Sequence, residues 1–288
     1  MAADNEPTSR PNNEVQPPFV HTASAPKPGT VAEALGRRDF KVWRGNALGG
    51  GYKDYTAEIS AGMVVLDAVH QIQATQAGDL ACRWNCKAGK CGSCSAEING
   101  KPRLMCMTRM ETLPEGTVTI QPMKAFKPIK DLVTDVSWNY EVKKKIAPFK
   151  PKAPEADGTW RMQQFEVERV QEFRKCIECF LCQDTCHVLR DHGKHEVFAG
   201  PRFFVHAAQL EMHPLDTVNR EPFLKHDGGI GFCNITKCCT EVCPEHIKIT
   251  DNAIIPLKER VADTYYDPLV RLWRWAFKKG EQPVEPKA

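Results

Sequence analysis

The first half of the chain alternates apolar and polar residues over short runs, a period of two that is typical of β-strands. Phe40 and Val42 belong to one run, and Ala57 and Ile59 belong to the next. Three consecutive glycines at positions 49–51 separate the two runs. Because glycine is common where two strands are joined by a turn, the pattern predicts a hairpin with these glycines at its tip.

An amphipathic helix is predicted after this hairpin, over residues 64–76. Its apolar residues Val65, Leu66, Val69 and Ile72 recur with the spacing of one helical face. Three further strands are predicted at residues 93–98, 102–106 and 117–121. Strands, one helix and then more strands predict an α+β fold for the first half of the chain.

The second half of the chain has helical rather than alternating periodicity. Apolar residues recur every three or four positions over residues 162–173 and 199–212, which predicts two helices. Before them, residues 121–158 contain repeated prolines and are expected to form a connector with one short helical piece at 129–136. The charged residues near the cysteines of this half are expected to be ordinary surface charges: Glu178, Asp184, Lys194, Lys237 and Glu241.

The two ends of the chain differ from its middle. Residues 1–36 are polar and rich in proline, so we expect a flexible extension that cannot bury a core of its own. Residues 267–288 are expected to form a basic amphipathic tail that carries Trp273 and Trp275. Such a tail is typical either of a membrane interface or of a contact with a partner subunit, and the sequence leaves both open. No run of about 18 apolar residues is present to span a membrane.

Cysteine is the residue type that directs the functional analysis. The chain has 13 cysteines in 288 residues, more than the core of an ordinary intracellular protein needs. The net charge is only +3, and no basic block with interleaved aromatic residues is present. The composition therefore argues against binding of nucleic acid and points to chemistry that uses thiols.

Two cysteine runs in the second half share one spacing. Gaps of two, two and three residues are typical of a bacterial iron–sulfur run, in which the fourth cysteine ligates the other cluster of a two-cluster protein. The second run has Thr236 where its second cysteine would stand. The first run consists of Cys176, Cys179, Cys182 and Cys186, and the second of Cys233, Thr236, Cys239 and Cys243.

Exchanging the fourth ligands between the runs predicts two different clusters. One set, Cys176, Cys179, Cys182 and Cys243, has four thiolates and predicts a [4Fe–4S] cluster. The other set has three thiolates, Cys186, Cys233 and Cys239. Because a threonine hydroxyl is far less acidic than a thiol, the corner near Thr236 would lack a ligand and tend to lose its iron. The sequence therefore predicts a [3Fe–4S] cluster there, with Cys238 left over.

Structural zinc and disulfide bonds are two other uses of so many cysteines. Zinc sites usually take their ligands as two separated pairs of residues. The seven cysteines of these two runs, in contrast, do not divide into tetrahedral sets of four. A disulfide framework is typical of small secreted chains, and this chain is not small and shows no secretory signal. The spacing favours iron–sulfur clusters, with a zinc scaffold as the alternative.

A third group of cysteines lies in the first half of the chain. It consists of Cys86, Cys91, Cys94 and Cys106. This spacing is that of a plant-type [2Fe–2S] run. Gly89 and Gly92 suit a loop that turns tightly around a cluster, because glycine reaches backbone conformations that other residues avoid. The sequence therefore predicts a [2Fe–2S] cluster, and Cys82 is left over as a core or spare thiol.

Three basic residues, Arg83, Lys87 and Lys90, flank this loop. Positive charge beside an iron–sulfur cluster favours its reduced form and would raise its potential. The same residues would equally suit a solvated surface or a contact with another subunit. The sequence leaves these interpretations open.

With its three cysteine motifs in this order, the chain resembles the iron–sulfur subunit of succinate dehydrogenase and fumarate reductase, the respiratory complex II family. The resemblance covers residues 39–267 and is most specific at residues 83–94, 176–179, 199–202 and 239–244. It implies an N-terminal β-grasp domain like plant-type ferredoxins, followed by an all-α helical ferredoxin domain. The expected domains are an extension at 1–36, the [2Fe–2S] domain at 37–135, a linker at 136–158, the [4Fe–4S]/[3Fe–4S] domain at 159–266 and the tail at 267–288.

The resemblance also implies partners and a direction of electron flow. A flavoprotein subunit would carry FAD, and a membrane cytochrome b anchor would carry haem and help bind quinone. Electrons would pass from FAD through [2Fe–2S], [4Fe–4S] and [3Fe–4S] to quinone, as part of the tricarboxylic acid cycle, at the cytoplasmic face of the bacterial plasma membrane. This chain would do no bond chemistry on succinate. The alternatives are the same path run in reverse as fumarate reductase, or service to another flavin dehydrogenase.

One departure from the family bears on the quinone. Ubiquinone-reducing members typically have a proline after the cysteine that matches Cys186, a tryptophan a few residues later, and a histidine after the one that matches Cys233. Here His187 and Asn234 follow these cysteines, and no tryptophan stands between Cys186 and Gly200. The chain is therefore expected to resemble menaquinone-using, actinobacterial members, with His187 and Asn234 near the quinone end of the path.

Overall fold

Residues 33–270 and residue 272 are described by the computed structural model. The described residues from Ala34 onward form one compact unit. Its first part, residues 34–134, is a mixed sheet with a helix packed on it and is called the sheet region below. Its second part, residues 137–272, contains helices and is called the helical region.

The sheet region is built around one long central strand. Strand β1 pairs antiparallel with β2 along nearly its whole length, and parallel with β5 over Phe40–Val42. The order of the other strands across the sheet is β4-β3-β5-β1-β6-β7, with β2 also on β1. The strands are β1 (Ala34–Asn46), β2 (Gly49–Ser60), β3 (Ser95–Ile98), β4 (Lys101–Leu104), β5 (Val118–Gln121), β6 (Pro128–Lys130) and β7 (Val133–Thr134).

The predicted β1–β2 hairpin is confirmed, but the predicted position of its turn is wrong. The turn lies at Ala47 and Leu48, and the three glycines begin β2. Their role is close packing: a Cβ on Gly50 would lie 2.5 Å from the Trp43 side chain and 2.8 Å from the Gly45 Cα. Glycine is therefore needed where the two strands and an indole ring meet, rather than at the tip.

Helix α1 (Val65–Thr75) lies over one face of this sheet and confirms the prediction for residues 64–76. Its apolar face is fully buried and belongs to one core with Phe40, Val42 and Ile120 of the central strands. At about 25 cal/mol per Å² of apolar surface removed from water, this face is what holds the helix on the sheet. The central strands, helix α1 and the cysteine loop therefore share one hydrophobic core.

The connector predicted at residues 121–158 contains more structure than expected. The predicted helical piece at 129–136 is wrong, because these residues form β6 and β7. Asp131 holds the turn between them: its carboxylate accepts the N–H groups of Gly45 at 3.0 Å and Ala81 at 2.9 Å, and pairs with Arg44 at 3.0 Å. A helix that was not predicted, α2 (Ser137–Lys145), follows. Contacts distant in sequence, which periodicity does not report, decide this segment.

Helices and turns make up the described elements of the helical region, and the predictions at 162–173 and 199–212 are confirmed. The helices are α3 (Gln164–Gln171), α4 (Leu181–Asp184), α5 (His187–Arg190), α6 (Pro201–Glu211), α7 (Glu221–Lys225), α8 (Cys238–Glu241) and α9 (Ile255–Tyr265). A π-helical segment, Ile249–Ile254, runs directly into α9, and Pro256 stands in the first turn of α9, where proline is tolerated. The core of this region centres on α6, whose Phe203, Phe204 and Ala207 are buried.

The described residues include only part of the predicted terminal segments. Strand β1 begins at Ala34, and residues 1–32 of the predicted extension at 1–36 lie outside the described part of the chain. Of the predicted tail, Leu269 and Leu272 are exposed, and Trp273 and Trp275 lie outside the described residues. No helix in the described ranges is long and apolar enough to cross a bilayer.

A buried charged group joins the sheet region to the helical region. Glu97 of β3 is 0% exposed and pairs with Arg190 at the end of α5, with 3.1 Å between Oε1 and Nη2. Asp184 at the end of α4 is also 0% exposed and accepts the Ala125 N–H at 3.0 Å. Burial raises the pKa of Asp184 to about 7, the Ala125 N–H opposes this rise, and nearby Glu97 adds to it. The prediction that Asp184 is a surface charge is therefore wrong.

Candidate metal centres

The first cysteine group lies on the loop between α1 and β3 and just after β4. The backbone N–H groups of Ala88 and Lys90 both point at Cys86 Sγ, at 3.3 Å. Cys94 and Cys106 are buried, and the Cys106 N–H lies 3.5 Å from Cys94 Sγ. The loop thus folds around its sulfur atoms and supplies them with donors, an arrangement that stabilises thiolates.

The thiols of this loop have unequal acidities. Burial raises the pKa of Cys91, but hydrogen bonds from Ser93 and from the backbone at Cys86 outweigh it, so the pKa falls to about 6. At Cys94 burial dominates and raises the pKa to about 12. A thiol in such surroundings becomes a thiolate when a cation binds it, so the donor set fits an iron–sulfur group. Burial alone raises the pKa of the leftover Cys82 to about 12.

The second group brings together thiols from both cysteine runs. Four cysteines line one cavity: Cys176, Cys179, Cys182 and Cys243. Its apolar lining includes Val205 of α6 and Ile249 of the π-helical segment. Burial raises the pKa of Cys179 to about 12 and that of Cys182 well above its ordinary value, and neighbouring thiols add to both shifts. So many buried thiols need positive charge between them to ionise together.

The third group brings the last cysteine of the first run to the second run. Burial raises the pKa of Cys186 to about 12, and Cys238 and Cys239 contribute to this rise. Burial likewise raises the pKa of Cys239 to about 11, and Cys238 and Cys233 contribute. The structure thus places Cys186, Cys233 and Cys239 together, with Cys238 close by. Cys182 and Cys186 stand near the two ends of α4, so one short helix links the second group to the third.

The two runs have the same unusual backbone. Glu178 and Phe180 have φ angles of 54° and 61°, and the matching residues Ile235 and Lys237 have 62° and 63°. Left-handed backbone is uncommon for residues other than glycine and costs of order 1–3 kcal/mol at each position. Both loops adopt it at the second and fourth residues after their first cysteine. Such repeated strain is typical of a loop that wraps around a bound group.

Thr236 occupies the predicted place in the second loop. It is exposed, and its Oγ1 lies 3.4 Å from Cys238 Sγ. Its counterpart in the first loop, Cys179, instead lines the thiol cavity. The third group therefore has a hydroxyl where the second has a thiol.

Two further residues were predicted near this group. Asn234, two residues before Thr236, is exposed, and His187 follows Cys186 with its ring 6.1 Å from that of His192.

The first and second groups are in direct backbone contact. A Cβ built on Gly92 would lie 2.7 Å from Cys179 Cα, and Ser95 Oγ donates a hydrogen bond to the Cys179 carbonyl at 2.8 Å. Lys90 adds an ion pair with Glu245, at 3.0 Å. The sequence suggested either a cluster-tuning role or an outward-facing role for Lys90, and the structure pairs it within the chain. Neither Gly92 nor Ser95 was predicted to join two sites, because spacing does not report contacts between distant segments.

Charged residues beside the second group were also misjudged from the sequence. Glu178 is half-buried and pairs with both Lys143 of α2, at 2.7 Å, and Arg202 of α6. The prediction that Glu178 is an ordinary surface charge is therefore wrong, whereas Lys194, Lys237 and Glu241 are exposed as predicted. Arg202 was not singled out for a role, although it stands in the Ala199–Arg202 motif.

The arrangement of thiols suits clusters better than single ions. In residues 33–270 and at 272, no three His, Cys, Asp or Glu side chains lie close enough together to hold one metal ion. In an iron–sulfur cluster each thiolate binds a different iron, so the thiols stand farther apart than around one zinc. At the first place a loop with glycines and with N–H groups directed at sulfur fits such a group, and at the second and third places left-handed loops with buried thiols do so.

Two family models match this chain in the regions just described. A "2Fe-2S iron-sulfur cluster binding domain" matches residues 39–141 and includes the first cysteine group. A "4Fe-4S dicluster domain" matches residues 172–247 and includes the second and third groups. The chain therefore contains a mixed-sheet domain of the first type followed by a dicluster domain of the second type.

Known proteins resemble the chain over most of its length. A chain of the Mycobacterium smegmatis Sdh1 complex in the apo form is 60% identical, with a TM-score of 0.77, and the match covers 83% of this chain and 100% of that one. The fumarate reductase iron–sulfur subunit of Mycobacterium tuberculosis is 29% identical over 68% of this chain and 80% of its own length. An uncharacterised iron–sulfur protein of Methanococcus maripaludis is 31% identical over 75% of this chain, which spans only 43% of that relative.

These matches agree with one another and with the order of the cysteine groups. The relatives include subunits named for fumarate reductase and for succinate dehydrogenase, and the two domain models follow each other in the order that the sequence predicts. The structural neighbour is matched over its entire length at high identity. The chain belongs to the family of succinate dehydrogenase and fumarate reductase iron–sulfur subunits.

Proposed function

We propose that the chain is the electron-transfer subunit of a succinate:quinone oxidoreductase and works in respiration and the tricarboxylic acid cycle. Electrons would pass from FAD on a flavoprotein subunit, through three iron–sulfur clusters on this chain, to a quinone at a membrane anchor. The observation that carries the proposal is the line of three thiol groups. The first touches the second through Gly92 and Cys179, and α4 links the second to the third.

The proposed ligands follow the three groups. The [2Fe–2S] cluster would bind Cys86, Cys91, Cys94 and Cys106; the [4Fe–4S] cluster Cys176, Cys179, Cys182 and Cys243; and the [3Fe–4S] cluster Cys186, Cys233 and Cys239. The proximity of these thiols supports the assignment. The proposed folds are a β-grasp domain and a helical ferredoxin domain, within the boundaries expected from the sequence.

Residues of this chain would exclude water from the clusters and fix the distances between them. The clusters supply one-electron transfer, so the two electrons of a dicarboxylate oxidation leave the flavin singly. Leu181 and Phe180 are buried beside the thiols and keep water away from the second group. Ser95 and Gly92 hold the first and second groups at a constant separation. No step on the dicarboxylate is assigned to any residue of this chain.

The membrane end of the path is proposed from the third group. A cytochrome b anchor with haem would lie there, and the chain would lie at the cytoplasmic face of a bacterial plasma membrane. His187 and Asn234 flank this group in sequence and would lie near the quinone. Because they replace the residues typical of ubiquinone-reducing members, menaquinone is the proposed acceptor.

Metal analysis and low-temperature EPR of the purified protein test the proposal. We expect about nine irons per chain, a [3Fe–4S] signal in the oxidised state, and [2Fe–2S] and [4Fe–4S] signals on reduction. Co-purification of a flavin-containing subunit would identify the electron donor. A colourless preparation that contains zinc and no iron would instead support the scaffold alternative.

Replacing Thr236 by cysteine should supply the missing thiolate of the third group. We expect about one more iron per chain, loss of the oxidised [3Fe–4S] signal and a second reduced [4Fe–4S] signal. The physical reason is that a thiolate, unlike a hydroxyl, retains the fourth iron. Thr236→Ser is the matched control, because it keeps the hydroxyl and should keep three irons. An unchanged iron content in Thr236→Cys would contradict the ligand assignment, and Cys238→Ser should leave all three signals intact.

Quinol:fumarate reductase is a second candidate, because several relatives carry that name. The same three clusters would then carry electrons from a quinol to the flavin. Assays of succinate oxidation and of fumarate reduction with the same membranes would separate the two functions. A rate of fumarate reduction well above that of succinate oxidation, with a low-potential quinol, would favour the second candidate.

A further inference from the structure

Arg202 is a buried arginine beside the second cysteine group. It stands in the first turn of α6, is only 5% exposed, and lines the same cavity as Cys176, Cys179, Cys182 and Cys243. One of its terminal nitrogens, Nη2, donates to Glu178. Its Nε–H is buried and has no hydrogen-bond partner within the described ranges. A buried donor without a partner is rare in native proteins and indicates that a bound group completes it.

Three charged groups beside this cavity do not cancel one another, whereas its other carboxylate, Glu245, is paired with Lys90. Glu178 is the single carboxylate paired with both Arg202 and Lys143, so two cations share one anion. His206, one turn further along α6, adds no charge at neutral pH, because burial and the nearby cations Arg202 and Lys143 lower its pKa to about 4. Lys143 is half exposed and screened by water, whereas Arg202 is not. The uncompensated charge next to the thiols is therefore that of Arg202.

We infer that Arg202 donates an Nε–H hydrogen bond to a sulfur of the [4Fe–4S] cluster and raises the midpoint potential of that cluster. The inference rests on the proposed function, since it requires a cluster at the second group. Cluster potentials depend on hydrogen bonds to sulfur, on net charge and on burial, and Arg202 supplies a donor and a charge in a buried place. Arg202 thus adjusts the midpoint potential of the [4Fe–4S] cluster, the second of the three clusters along the path.

The test is a redox titration of the [4Fe–4S] EPR signal in the full-length chain, purified with the subunits that accompany it. Arg202→Met keeps the length of the side chain but removes the donor and the charge. We expect a lower midpoint potential, by about the 59 mV that corresponds to a tenfold change in a one-electron equilibrium. Arg202→Lys keeps the charge without the planar donor and should lower the potential less. Glu178→Gln removes the opposing anion and should raise it.

Two internal references separate this effect from a general disturbance. The [2Fe–2S] and [3Fe–4S] signals of the same sample should keep their potentials. Arg174→Met makes the same substitution at an exposed arginine two residues before Cys176, where water screens the charge, and should shift the [4Fe–4S] potential far less.

The outcomes distinguish this inference from the proposed function. A normal [4Fe–4S] signal with an unchanged potential in Arg202→Met would overturn the inference and leave the proposed function intact. Absence of any [4Fe–4S] signal in the unaltered protein would instead overturn the proposed function. If Arg202→Met fails to assemble the cluster, Arg202→Lys decides: a lowered potential supports the role of the Arg202 donor, and an unchanged or raised potential overturns it.

Discussion

Replacing Gly92 by alanine should destabilise the protein and slow electron transfer from the first thiol group to the second. The new Cβ would lie 2.7 Å from Cys179 Cα and 3.0 Å from Cys179 N, and both atoms are backbone that cannot turn aside. Gly92 also has a φ of +68°, which disfavours alanine. Left-handed backbone costs about 1–2 kcal/mol and overpacking about 1–3 kcal/mol, so we expect a loss of about 2–5 kcal/mol in unfolding free energy.

The effect of this change on function follows from the place of the clash. To relieve it, the first loop must move away from Cys179, which lengthens the path between the two groups. Rapid-mixing experiments that follow reduction of the second cluster after the first should show a slower transfer. Unfolding by heat or denaturant measures the stability of the same samples.

Gly100→Ala is the matched control for this prediction. Gly100 has a similar φ of +75°, but nothing lies within 4 Å of its would-be Cβ. Alanine at position 100 should therefore cost about 1–2 kcal/mol for its left-handed backbone, with no added cost from a clash. If Gly92→Ala and Gly100→Ala lost equal stability and transferred electrons at equal rates, the prediction would be contradicted. The close contact between Gly92 and Cys179 would then matter neither for stability nor for electron transfer.

Replacing Arg190 by methionine should lower the unfolding free energy by about 3 kcal/mol, because it leaves a buried carboxylate without its cation. Glu97 is 0% exposed, and Arg190, 17% exposed at its side chain, is the cation that faces it. For a chain of this size the loss corresponds to a Tm lower by about 6–12 °C. The pKa of nearby Asp184 should rise further, since Arg190 lowers it in the native protein.

Two further variants show whether the loss comes from the buried charge. The double variant Arg190→Met, Glu97→Gln removes both charges and should recover part of the lost stability, because position 97 then no longer carries a buried charge without a cation. Arg103→Met alters a half-buried arginine of β4 that forms no ion pair with an acidic residue in the described part of the chain, and should change stability by only about 0.5 kcal/mol. Equal losses in Arg190→Met and in the double variant would show that packing by the arginine, rather than charge, holds the two regions together.

Local patterns in the sequence predicted strands β1–β5 and helices α1, α3 and α6, but not α2, α9 or the short helices beside the cysteines. The β1–β2 hairpin, α1 and α6 follow from periods of two and of 3.6, because each presents one apolar face to a core. The segment at 129–136 did not follow its periodicity. There Asp131 binds Gly45, Ala81 and Arg44, and a turn held by distant partners overrides a weak local helical preference.

Cysteine spacing predicted the composition of the three thiol groups. The structure places Cys243 beside the first run and Cys186 beside the second, as the exchange of fourth ligands requires. That these thiols ligate clusters, and that the third cluster lacks an iron, remain predictions. The spacing is informative because a short loop around a cluster admits few arrangements of its thiols.

By itself, therefore, the sequence determined which thiols belong together, the order of the two domains and the family. Only the tertiary structure decided how the groups are joined and what surrounds them: Gly92 against Cys179, Glu97 paired with Arg190, and Arg202 beside the second cavity. The reason is physical. Periodicity and spacing record interactions along a few turns of chain, whereas the charge and contact around a buried site come from segments roughly 20 to 100 residues apart that meet only when the chain has folded.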